Sequence, residues 1–172
     1  MIRPLSAAAF CSFFAVASAA GAQSLSPQLA PVGFLVGEWT GTGKSEGGNS
    51  DAGTSSIQPA VGGAALIRRD HNDVSDANGK PIESFDQIML IYPEAGTLHA
   101  DYLDGSHVIH YASAVVQPNR SVQFTSAAQP GAPVFRLTYT EASPDNLAIK
   151  FEMEPPGQSV FRSIAEGTMH RR

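Results

Sequence analysis

Cysteine is almost absent from this chain. Cys11 is the single one among 172 residues, and it falls inside an apolar N-terminal stretch that reads as a leader. A chain processed there keeps no disulfide, no thiolate nucleophile and no thiolate metal ligand, so a packed core alone must hold it together. Charge is scarce as well: Asp, Glu, Lys and Arg make up 16% of the residues, against roughly a quarter in an average soluble domain. The formal net charge is −5, and basic residues adjoin only at Arg68-Arg69 and Arg171-Arg172. Binding nucleic acid requires a basic face, so that class of partner is set aside. Beyond the N-terminal stretch no apolar run approaches the roughly 20 residues of a membrane-spanning helix. H-E-x-x-H is missing. Gly41-Thr42-Gly43-Lys44-Ser45 lacks the spacer and following helix of a phosphate loop. No catalytic residue is assigned.

The N-terminal stretch has the three parts of a secretory signal. Arg3 supplies the positive start, Leu5 to Ala20 the apolar segment, and Ala20-Gly21-Ala22 a small-residue cleavage site. Residues 1–22 are therefore read as a signal peptide and 23–172 as one domain, with a periplasmic or secreted location.

After Ala22 the chain has a short lead-in and then a period-two pattern. Ser26-Pro27 resembles a helix start, with Ser26 as N-cap and Pro27 in the first turn. One or two helical turns are expected across a barrel end. After Gly37 alternation takes over. Strands are expected at 39–44, 52–58, 64–71, 84–92, 97–103, 106–117, 121–127, 133–141, 147–154 and 159–169, separated by Gly, Pro, Asn and Asp clusters. About ten short, regularly spaced strands with short connections predict an all-β, closed antiparallel up-and-down barrel, because closure removes free edges.

Trp39 is the only tryptophan. Gly37-Glu38-Trp39, opening the first strand after the lead-in, resembles the start of lipocalin and calycin barrels. The longer string Leu35-Val36-Gly37-Glu38-Trp39-Thr40-Gly41-Thr42-Gly43 is similar to the opening of secreted proteins of the DUF1579 type and, more distantly, of nitrobindin-like haem-binding barrels. The lipocalin resemblance implies that a basic residue of the last strand packs over the tryptophan, and Arg171 is placed to do so, with Arg162 also available. The nitrobindin resemblance implies haem held by a C-terminal histidine. His170 is the histidine of that region, although it stands nearer the chain end than that motif puts it.

Asp104-Gly105 between two alternating runs is the best hairpin signal. A two-residue loop there sets Tyr102 opposite His107 and His99 opposite His110. One face then carries His99, Asp101, Val108 and His110. The other carries Leu98, Ala100, Tyr102, His107, Ile109 and Tyr111, and its apolar and aromatic make-up predicts the interior. His99, Asp101 and His110 on the outer face are too few for a metal site. In Ile67 to His71, Leu66, Arg68 and Asp70 share one face and Ile67, Arg69 and His71 the other. An inward Arg there suits a carboxylate. The surface reading is taken for Arg68 and Asp70.

The expected ligand-lining set is Leu66, Met89, Ile91, Leu98, Tyr102, His107 and Tyr111. Trp39 and Arg171 are expected to close the barrel. The function implied is an exported protein that binds a small, mainly apolar molecule. The alternatives are a haem-binding barrel using His107 or His170, and an envelope structural or stress protein whose barrel is filled by side chains. If the leader is cut as read, intact-mass measurement on the exported protein gives a chain beginning at Gln23. A mass that retains Met1 to Ala22 would overturn this.

Overall fold

A computed structural model describes residues 23–172. The leader and Cys11 lie outside the described residues. The ten strands are β1 Gly37–Ser45, β2 Ser50–Ala60, β3 Ala65–Ser75, β4 Pro81–Glu94, β5 Thr97–Leu103, β6 Val108–Gln117, β7 Ser121–Ser126, β8 Val134–Ser143, β9 Asn146–Glu154 and β10 Arg162–Arg171. Each pairs antiparallel with the next, and β10 pairs with β1, so the sheet closes into a barrel. Turn chemistry drives the meander. In the β3–β4 connection Asp76 Oδ1 accepts the backbone N–H groups of Asn78 and Lys80, both at 2.9 Å. Gly79 there takes φ +81°, a conformation that glycine adopts without steric cost.

The β5–β6 turn differs from the expected two-residue loop. Asp104 Oδ1 accepts from the N–H of Ser106 at 3.0 Å and of His107 at 2.7 Å. This side-chain turn competes with the ladder and holds Asp104 to His107 outside it. Leu103 therefore pairs with Val108, and Tyr102 with Ile109. The register moves by two residues, and an even shift preserves faces. Leu98, Ala100, Ile109 and Tyr111 are buried inward as expected.

One barrel end is plugged. A turn at Pro27 leads into a 3-10 helix, Ala30–Leu35. The Ser26 carbonyl accepts from the N–H of Leu29 at 2.9 Å and Ala30 at 3.0 Å. Its hydroxyl caps nothing and is left without a partner, contrary to the N-cap expected. Leu29, Val32, Phe34 and Leu35 are buried against Trp39, which is itself fully buried and donates its indole N–H to the Leu35 carbonyl at 3.0 Å. The Arg171 guanidinium lies 4.2 Å from the Trp39 ring. It donates to the carbonyls of Val36 at 2.9 Å and Pro144 at 3.2 Å. Gly37 makes room for it: φ is +155°, and a Cβ there would overlap the guanidinium. The G-x-W opening thus has a steric cause. Above the plug, Ile57, Leu66, Met89, Ile91, Phe124 and Leu147 fill the closed half.

Truncating Trp39→Ala removes the largest buried side chain and should cost about 3–5 kcal/mol in urea unfolding. Arg171→Ala should cost about 0.5–2 kcal/mol. Gly37→Ala displaces the same guanidinium, so the two changes together should cost clearly less than their sum. Simple additivity would refute the shared mechanism.

Candidate functional site

Strand parity fixes the site. On β3, Leu66, Arg68, Asp70, Asn72 and Val74 alternate with Ile67, Arg69, His71 and Asp73, and Leu66 and Val74 are buried. Arg68 and Asp70 must follow them inward. Arg68 is 6% exposed, which corrects the surface position expected for this pair. A long charged side chain is driven inside here because the face it shares with Leu66 belongs to the core.

The half of the barrel away from Trp39 is hollow. A cavity of about 450 Å³ opens there. Phe85, Ile109, Leu137, Ile149, Phe151 and Met169 contribute its apolar walls. The remaining wall, from β1, β2 and β10, is almost bare. Gly41 pairs with Gly53 across β1 and β2, and Gly43 with Gly167 across β1 and β10. At Gly43 and Gly167 a Cβ would come within 2.7 Å of a backbone oxygen of the neighbouring strand. Gly41 is different: its nearest neighbour would be Met169 Cγ at 3.5 Å, an ordinary contact.

At the boundary between hollow and filled halves sits a polar cluster. Arg68 Nη1 donates to the Tyr139 hydroxyl. Nη2 donates to Gln87 Oε1 at 3.0 Å and pairs with Asp70 Oδ2 at 2.8 Å. The Tyr102 ring centre lies 5.9 Å from the guanidinium carbon. Burial opposes the charge on Arg68, but Asp70 and Tyr139 outweigh it, so its pKa stays above the ordinary value. Burial raises the pKa of Tyr102, Tyr111 and Tyr139, and all three remain phenols at physiological pH. Arg68 Nε, Asp70 Oδ1 and Ser55 Oγ are buried with no hydrogen-bond partner, although their residues line the cavity. Nearer the mouth, Asp51, Glu83 and Asp104 add carboxylates, while Arg68 is the only cationic side chain lining the cavity among the described residues.

Of the expected lining set, Tyr102 and Tyr111 line the cavity. Leu66, Met89, Ile91 and Leu98 are inward and buried, but they pack in the filled half beneath it. His107 is corrected. It sits in the Asp104 turn with a 75% exposed side chain and its Nδ1 3.2 Å from Asp104 Oδ2. The other histidines also point outward. His99 stacks on Tyr92 with ring centres 6.0 Å apart, and His110 Nδ1 lies 2.7 Å from Asp101 Oδ1. The two-residue register shift makes Asp101, not His99, the partner opposite His110. His71 Nδ1 is 2.8 Å from Asp86, and His170 contacts Asn146. Among the described residues no histidine lines the cavity, so neither His107 nor His170 can offer an imidazole to an iron held inside it. The residues present do not fit the histidine-ligated haem that the resemblance implied. Among the described residues no group of three or more His, Cys, Asp or Glu gathers as metal ligands.

The chain matches no family model and no curated protein. Solved structures share its fold at low identity. The S-type phycobiliprotein lyase CPES from Guillardia theta is 11% identical with a TM-score of 0.52, over 82% of this chain and 90% of that one. A redesigned β-barrel, mFAP1, bound to DFHBI, is 17% identical with a TM-score of 0.46, over 82% and 98% of the two chains. These likenesses concern the fold alone.

Removing one member of the buried pair leaves the other uncompensated. Arg68→Ala is expected to destabilise by about 3–5 kcal/mol, whereas Arg68→Met combined with Asp70→Leu should be neutral or stabilising. Urea unfolding of the two variants checks the contrast. Equal losses would show that the pair does not act as a unit.

Proposed function

We propose that this chain is an exported binding protein for a small, mainly apolar molecule held in the open half of the barrel. The observation that carries the reading is the cavity of about 450 Å³, within the roughly 300–1,000 Å³ of small-molecule sites. Its walls are chiefly apolar, and its polar groups are few and clustered at one end, the usual make-up of such a site. A barrel filled by side chains, the structural or stress-protein alternative, would leave no cavity of this size. Export rests on the reading of residues 1–22, and kinship with DUF1579-type proteins rests on the opening around Trp39.

Native mass spectrometry on protein taken from its own envelope fraction tests this first, with a bound small molecule as the expected result. A binding assay with Nile red, a neutral apolar dye, adds a structural control. Gly41→Leu places a side chain into the cavity from a position that tolerates a Cβ. It should weaken dye binding by about tenfold or more while leaving the melting temperature unchanged or higher, since glycine is unfavourable within a strand. Undiminished binding to a folded Gly41→Leu variant would place the ligand elsewhere.

A further inference from the structure

The mouth of the cavity sets the charge of the ligand, given the binding function proposed above. One row of paired residues crosses the open end. Gly43 pairs with Asp51, Asp51 with Val74, and Val74 with Glu83. Directly opposed residues share a face, and Val74 is buried. Asp51 and Glu83 therefore stand on the inner face, one on either side of Val74, and both line the cavity. They lie two strands apart, roughly 10 Å from backbone to backbone. Asp51 accepts from the Ser45 hydroxyl at 3.3 Å. Among the described residues neither carboxylate forms an ion pair. Asp104 adds a third negative charge to the lining. Burial opposes its ionisation, but the N–H groups of His107 and Ser106 and the Tyr102 hydroxyl hold its pKa below the ordinary value. The basic group beside it, His107 at 3.2 Å, is turned to solvent. Glu166 also borders the cavity, but Lys150 pairs with it at 3.3 Å.

No positive charge answers these carboxylates from within. Arg68 is the only cationic side chain of the lining among the described residues, and Tyr139, Gln87 and Asp70 already occupy its guanidinium. An anionic ligand would pass three carboxylates and meet no free cation. A cationic group meets two unpaired carboxylates on one row. The space beneath that row suits an apolar body. Gly41 and Gly53 stand one inward position deeper, roughly 7 Å along the strands. Glycine weakens a strand, yet close packing does not require it at Gly41, where a Cβ would make only an ordinary contact with Met169 Cγ at 3.5 Å. The volume left open there belongs to the cavity. We infer that the cavity takes a cationic amphiphile tail first, its apolar body against Gly41 and Gly53 and its ammonium-type head at the rim between Asp51 and Glu83.

Decylamine, decanamide and decanoate test this, since they share one tail and present a cationic, a neutral and an anionic head at neutral pH. Each is used below the concentration at which it takes up Nile red without protein. Decylamine should displace Nile red from the purified protein at about five- to tenfold lower concentration than decanoate, with decanamide between them, because each half-exposed ion pair adds modestly. Raising the salt from about 0.02 M to about 0.5 M should narrow that gap, since charges at the rim are screened. Asp51→Asn combined with Glu83→Gln should bring the three analogues to within about twofold of one another while circular dichroism reports an intact barrel. Gly41→Leu should weaken all three. Equal displacement by the three, decanamide or decanoate displacing first, or a gap that survives the double substitution overturns the inference. So does decylamine that displaces the dye undiminished from Gly41→Leu, which would put its site outside the cavity. If Nile red binds and the series is flat, only the charge assignment fails. If neither Nile red nor any analogue binds, the ligand-binding reading fails and this one with it.

Discussion

Closing a ten-stranded sheet leaves two open ends, and this protein seals only one. The contact on which the rest depends is Arg171 over Trp39, 4.2 Å from ring to guanidinium. It joins the last strand to the first at the seam where the barrel closes. The same guanidinium binds the Val36 carbonyl at 2.9 Å and so fastens the lead-in across the opening. Gly37 is a condition of that contact, because any side chain would occupy the space of the guanidinium. Arg171 keeps a third of its side chain in water, so the cation over the ring is worth about 0.5–1 kcal/mol, and its weight in the fold comes from joining first strand, last strand and lead-in at one point.

Sealing one end allows the other to be hollow. The apolar side chains that stabilise the fold crowd into the half around Trp39, Leu35, Phe124 and Leu147. The opposite half forgoes that burial, with glycines on three adjacent strands. Glycine in a strand weakens it. The close approach at Gly43 and Gly167, where a Cβ would meet a backbone oxygen at 2.7 Å, shows these strands drawn together. The site is therefore built from the part of the barrel that contributes least to holding it together.

Much of this fold is legible in the sequence, and the reason is periodicity. Thr97 to Leu103 has the same bounds in the sequence pattern and in the structure, and all ten strands follow from alternation between turn residues. The departures have physical causes as well. The Asp104 carboxylate captures two backbone N–H groups, so a loop that looks two residues long closes over four and carries His107 out of the wall. An even register slip spares every other facing assignment in that hairpin. Arg68 is the instructive case. The pattern suggests Leu66 inside and Arg68 at the surface, yet residues two apart on one strand face the same side. Composition argues for putting the charge outside, since Arg is rarely buried. Geometry requires the reverse, and geometry prevails because Asp70, Tyr139 and Gln87 are positioned to satisfy the guanidinium. Those partners come from β3, β4 and β8, and no local pattern discloses that they converge.

The same partners explain why the burial is incomplete. A buried ion pair is tolerable when its remaining hydrogen-bonding groups are met, and here Tyr139 and Gln87 meet two sites on the guanidinium while Nε stays free. Arg68 Nε and Asp70 Oδ1 are covered by protein and stay unmet, and an unmet buried polar group costs stability. The cluster therefore holds its place through the partners it does have, Tyr139, Gln87 and the Asp70 Oδ2 contact, while the residues that carry it line the hollow half of the barrel.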